Sequence, residues 1–172
     1  SNMVYDVEQD DIPDLSNVTN ASIMFEDATS FNGDLSGWDT QNITNMAAMF
    51  KGAAAFVGNG IENWDTGNVR HMQSMFSEAS VFDANLANWN IQNIERMDSM
   101  FDNSGLSTNN YSATLEGWAT LDDGEAQIPT FVDFTNQNGM MFCLDAEQER
   151  DDLITNHNWE ISGDAPTGAD CN

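Results

Sequence analysis

The 172 residues include 40% hydrophobic residues, enough for one continuous core, and no apolar run approaches the roughly 18 residues that a membrane-spanning helix needs. Four Lys plus Arg against 29 Asp plus Glu give a formal charge of -25, which repels nucleic acid and anionic lipid, because both are bound through clustered cations. Nucleic-acid and membrane-insertion roles are therefore not expected; the charge reads as a solvated surface suited to a salty medium, with Ca²⁺ binding at carboxylate clusters as the alternative.

The opening Ser1-Asn2 looks like a tag remnant, so the chain reads as a monomeric fragment of a larger protein. Residues 1–17 are expected to hold that remnant and an amino-terminal cap, with Pro13 where later units place Trp. From Val18 one pattern returns. Asn17-Val18, Asn42-Ile43, Asn68-Val69 and Asn93-Ile94 open successive units, and Phe25, Phe50, Phe76 and Phe101 follow at steps of 25, 26 and 25 residues, each directly after a Met. Phe31, Phe56 and Phe82 come next; Leu35, Ile61, Leu86 or Leu115, then Trp38, Trp64, Trp89 or Trp118, close each unit.

A period of that size predicts a repeat solenoid with four coils over residues 18–121. No single coil buries its own apolar face, and stacking removes such faces from water at about 25 cal/mol per Å². Trp38, Trp64, Trp89, Met49, Phe50, Met75, Phe76, Met100 and Phe101 are thus expected in the core. Ile43, Met46, Met49 and Phe50 share one face of a short helix or 3-10 turn, with Asn42 as its N-cap. Leu35 through Trp38 to Thr40 reads as a brief strand that stacks in parallel on its neighbours.

Residues 122–172 read as a carboxy-terminal cap. Ile128, Phe131, Val132 and Phe134 suggest one strand, Asp145 to His157 a helix with Asp145 as N-cap, and Trp159 and Ile161 a last strand. Cys143 and Cys171 both fall here, where a disulfide between them would pin a polar tail in an oxidising compartment; two free thiols are the alternative.

The recurring N-[VI]-x-x-M-x-x-M-F-x-x-A-x-x-F, followed by L-x-x-W-[DN], is similar to the BspA-like family of bacterial surface proteins, over about residues 18–120. Segments 106–121 and 142–164 also resemble the end of such proteins in secreted bacterial examples. The resemblance implies a leucine-rich-repeat-like fold, a secreted or cell-surface location, and attachment to host proteins, other cells or surface matrix.

No G-x-S-x-G, P-loop, dinucleotide fingerprint or EF-hand spacing occurs, and His71 and His157 stand alone, so neither an enzyme nor a cofactor is expected. Asp122-Asp123 and Asp151-Asp152 read as solvated carboxylates. The tryptophans pack between coils or, alternatively, offer a sugar-stacking platform. Contact with a partner, an extracellular protein or glycan, is expected at the positions that change between coils. They are Thr44 and Asn45, then Arg70, His71 and Gln73, then Glu95, Arg96 and Asp98. A purely structural spacer and a glycan-binding module are the alternatives.

Overall fold

The structure is a computed structural model that describes residues 12–122 and 124–170; residues 1–11, which carry most of the expected amino-terminal cap, lie outside the described residues. Between residues 12 and 107 the described chain forms neither helix nor extended strand, and runs instead as turns tied together by single parallel bridges. The backbone bonds of these turns go to the next repeat. Ala21, Ile23, Phe25 and Asp27 donate to the carbonyls of Asn45, Ala47, Met49 and Lys51. Met46, Ala48, Phe50 and Gly52 donate in the same way to His71, Gln73, Met75 and Ser77, and Met72, Ser74, Phe76 and Glu78 to Arg96, Asp98, Met100 and Asp102.

This bonding explains two differences from the sequence reading. A helix over residues 43–50 would turn each N–H toward a carbonyl of its own segment, but here every second N–H points to the neighbouring repeat. Ala48, Ser74 and Ser99 take positive φ values of 53, 55 and 56°, which no right-handed helix contains. Asn42 is not an N-cap acceptor; its Nδ2 donates to the Ser16 carbonyl, as Asn68 Nδ2 does to Gln41 and Asn93 Nδ2 to Gly67. Nor is there a strand over residues 35–40. The Leu35, Ile61 and Leu86 carbonyls each accept the backbone N–H of the Trp three residues on, closing a tight turn. The same carbonyls accept the indole N–H of Trp64, Trp89 and Trp118 from the following unit, at 3.2, 2.8 and 3.0 Å. Acceptors that a strand ladder would use are thereby taken.

Behind these turns the side chains form rows. The Phe25, Phe50, Phe76 and Phe101 rings follow one another at centroid separations of 5.4, 5.7 and 6.0 Å with nearly parallel planes. Phe31, Phe56 and Phe82 make a second row, and Trp38, Trp64 and Trp89 a third at 6.2 and 6.3 Å. Met49, Phe50, Met75, Phe76, Met100 and Phe101 are fully buried, Trp64 and Trp89 nearly so, and Trp38 only partly.

The carboxy-terminal third has regular elements: α1 (Thr108–Trp118), β1 (Asp133–Phe142), a short 3-10 turn at Leu144–Ala146, α2 (Glu147–Thr155) and β2 (Glu160–Pro166). Helix α1 starts where Ser107 accepts the Asn110 N–H, and it brings Leu115 and Trp118 into the core at the places where the earlier units put Leu and Trp. Strand β1 begins later than the sequence suggests. Phe131, expected within the strand, precedes it and is 77% exposed with φ 61°, and Asp145 makes no capping bond to α2. Strands β1 and β2 pair in parallel, with an irregularity between Thr135 and Met140.

The carbonyls of Asp133 and Thr135 also accept Met97 and Ser99, so β1 supplies the fourth repeat with the partner that each earlier repeat finds in its successor. One buried polar cluster fastens the end together. Arg150 of α2 donates Nε and Nη2 to Asp164 of β2 at 2.8 and 2.7 Å, and the Tyr111 hydroxyl of α1 donates to the same carboxylate at 2.9 Å. Cys143 is buried and disulfide-bonded; Cys171, the other cysteine of the sequence, lies outside the described residues.

Candidate functional site: a laddered surface of variable residues

Parallel bridges join Asn20 to Asn45, Asn45 to His71, His71 to Arg96 and Arg96 to Asp133, so one column of residues crosses every repeat and ends on β1. A second column lies one residue earlier. Thr44 donates its N–H and its hydroxyl to the Thr19 carbonyl, Arg70 donates to Thr44, and Glu95 to Arg70. The carbonyls of Gln73 and Asp98 lie two residues after the first column and accept from Ala48 and Ser74. All eight residues singled out in the sequence, Thr44, Asn45, Arg70, His71, Gln73, Glu95, Arg96 and Asp98, therefore stand on three adjoining rungs of one face. None of the eight is buried.

Charge on this face is paired. Arg70 Nη1 meets Glu95 Oε1 at 2.7 Å from the next rung, and Arg96 Nη2 meets Asp98 Oδ1 at 2.9 Å. Lys51 and Arg150, the other two cations of the chain, pair with Glu26 and Asp164. Two of only four basic side chains thus lie on the ladder of a protein whose net charge is -25. His71 Nδ1 and Gln73 Oε1 are enclosed and have no hydrogen-bond partner among the described residues.

Sequence reasoning missed two rungs and one neighbour. Asn20 matches Asn45 by the repeat step and was findable. Asp133 was not, because it follows Arg96 across α1 and a long connection that breaks the period. Phe131, two residues before Asp133, is the most exposed large apolar side chain described; nothing in its local sequence distinguishes it from a core residue.

Other candidates lie elsewhere. Trp64 and Trp89 are buried with their indole N–H groups bonded, so their rings offer no platform to a sugar. Thr40 and Thr66 are buried and donate to the Asp65 and Asn90 carbonyls of the next repeat. Among the described residues, no group of three or more His, Cys, Asp or Glu is arranged to hold a metal ion, and no helix is long and apolar enough to cross a membrane. Asp152 is partnered by Asn156 and His157, and Asp123 lies outside the described residues. Among the described residues, Glu116 of α1 is a carboxyl whose pKa is raised, through partial burial and then the charges of Asp145 and Glu149.

The architecture is that of a protein made of repeated units whose backbones hydrogen-bond one to the next. The chain belongs to the family described as "Mycoplasma protein of unknown function, DUF285", whose profile matches residues 1–118. The match takes in the repeats and α1 and stops before β1. Neither a curated protein nor a solved structure matches the chain.

Proposed function

We propose that this domain is an extracellular adhesion or protein-binding module of a bacterial surface protein, a leucine-rich-repeat-like solenoid of the BspA-like kind. It recognises its partner through the ladder of Thr44, Asn45, Arg70, His71, Gln73, Glu95, Arg96 and Asp98. One observation carries the reading: on adjoining rungs the repeats keep their buried residues and change their outward ones. Stacked repeats build extended binding surfaces in this way. Asn20 and Asp133 extend the same column, and the exposed Phe131, two residues before Asp133, has the character of an aromatic anchor. The partner is an extracellular protein, with a glycan as the second class, and the domain acts by binding rather than catalysis.

The test is a screen of the purified domain against extracellular-matrix proteins, glycans and intact cells, with and without Ca²⁺. At least one saturable interaction is expected. Arg70→Glu combined with Arg96→Glu should weaken it about tenfold or more without changing the melting temperature, since both side chains are exposed. Binding to nothing in the panel, or binding indifferent to that double change, would count against the reading.

A spacer without a ligand is favoured by one observation: the side-chain N–H and O–H groups of Asn42, Asn68, Asn93, Thr40, Thr66, Trp64 and Trp89 are spent on bonds between repeats. Replacing the domain in its parent protein by an unrelated spacer of equal length separates the readings. A spacer role predicts undiminished attachment.

A further inference from the structure

The backbone that carries the exposed Phe131 ring is held in place. The Phe131 N–H donates to the His157 carbonyl at 3.0 Å. On one side of it the Pro129 carbonyl accepts the Trp159 indole N–H at 2.8 Å, and on the other the Val132 carbonyl accepts the Glu160 N–H at 2.9 Å. Val132 and Trp159 are buried, so residues 129–132 are fixed against the segment that leads into β2. Within that frame Phe131 takes φ 61°, a left-handed conformation that costs a bulky side chain energy and that glycine or asparagine adopts more easily. Positive φ at Ala48, Ser74 and Ser99 recurs at one place in the repeat and belongs to its turn, whereas Phe131 lies outside the repeats. A strained and firmly held position whose side chain fills no core marks a contact site.

Charge selects the partner. Asp133 lies two residues after Phe131, and Glu160 pairs with Asp133 across β1 and β2. Asp152 reaches the same corner through His157, whose Nε2 stands 3.5 Å from the Asp152 Oδ2 and whose carbonyl holds Phe131. Arg96, bridged to Asp133 from the fourth repeat, is turned to Asp98. The ring thus rises from a corner marked by three carboxylates. A second copy of the chain, itself carrying -25, is repelled there, and a neutral glycan has no charge to offer the carboxylates. An apolar pocket bordered by Lys or Arg satisfies ring and carboxylates together. We propose that Phe131 is the anchor of the binding face and inserts into an apolar pocket, with a basic border, on a protein partner. The proposal rests on the adhesion reading and adds to it the chemistry of the partner.

Surface plasmon resonance against immobilised heparin-binding matrix proteins, which carry basic patches, and in parallel against neutral glycans, tests it. At least one of the proteins should bind the unaltered chain. Phe131→Gly should weaken that binding about thirtyfold or more, and Phe131→Tyr should keep it within about threefold. Soluble heparin should compete, because it covers the basic border of the partner while the acidic chain leaves it alone. Phe131→Gly should also melt no more than about 4 °C below the unaltered chain, since it removes an exposed ring and suits the positive φ. A larger fall shows that the ring supports the fold and overturns the proposal. Binding that Arg70→Glu with Arg96→Glu abolishes but Phe131→Gly leaves intact also overturns it, and leaves the adhesion reading standing. Binding to neutral glycans alone, or binding indifferent to heparin, overturns the basic partner. Binding to neither class overturns the proposal together with the adhesion reading.

Discussion

Phe76→Ala is expected to destabilise the protein by about 3–5 kcal/mol, the range for removing a fully buried aromatic ring. The ring is 0% exposed and has four aromatic neighbours: Phe82 at 3.9 Å, Phe50 at 5.7 Å, Phe101 at 6.0 Å and Trp89 at 6.2 Å. These come from the repeats on both sides as well as its own. Its loss opens a cavity in the middle of two rows, and the backbone on either side is held by bonds that run between repeats, so the site has little room to collapse. Phe25→Ala removes the same side chain from the end of the row, where it is only partly buried and has a following repeat but no preceding one among the described residues. Chemical denaturation of the two variants should rank Phe76→Ala well below Phe25→Ala. Equal losses would mean that the rows do not carry the stability.

The second large effect is expected at the carboxy-terminal clamp. Asp164→Ala leaves the Arg150 guanidinium, whose side chain is 16% exposed, with only the more distant and exposed Asp151 carboxylate at 3.6 Å, and it also strips the buried Tyr111 hydroxyl of its acceptor. Removing one member of a buried ion pair costs roughly 3–5 kcal/mol, most of it from the charge left behind. The paired change Arg150→Met with Asp164→Leu removes both charges and should cost much less than the two single changes together, a coupling that a double-mutant cycle measures directly. Additive losses would contradict the clamp. Burial first, and then the Asp164 charge and hydrogen bond, hold the Tyr111 phenol well above its ordinary value of 10.0. This contribution is complete below that value and declines as pH rises past it, because the unfolded chain then gives up a proton that the folded chain keeps. Tyr111→Phe should flatten the alkaline decline in urea midpoint between about pH 9 and 11.

What could be read in advance divides along physical lines. The spacing of Met49-Phe50, Met75-Phe76 and Met100-Phe101 marked buried positions because a repeated apolar residue has few other uses. The same spacing misled about conformation. Ile43, Met46, Met49 and Phe50 fit a helical face, but positive φ at Ala48, Ser74 and Ser99 is not announced by Ala or Ser, residues that give no left-handed signal of their own. The tight turns ending at Trp38, Trp64 and Trp89 were likewise hidden, since their carbonyls are claimed by an indole from the next unit. Helix α1 was read as part of a repeat because Leu115 and Trp118 keep the repeat's places while the backbone between them changes. The variable face was legible up to Glu95, Arg96 and Asp98. Its continuation to Asp133, and the joining of Tyr111, Arg150 and Asp164, depend on contacts between segments far apart in the chain, which no local pattern records.

The division between constant residues that hold the repeats together and changing residues that face outward can be tested without a partner. Arg70→Thr, His71→Asn and Gln73→Ala together give the third repeat the outward residues of the second. Arg70 loses only an exposed ion pair, and the enclosed His71 Nδ1 and Gln73 Oε1 have no hydrogen bond among the described residues to lose. The triple variant should melt within about 4 °C of the unaltered chain, as expected of surface changes in a domain of this size. A fall of more than about 10 °C, several times what surface changes cost, would show that these positions support the fold and would contradict the account.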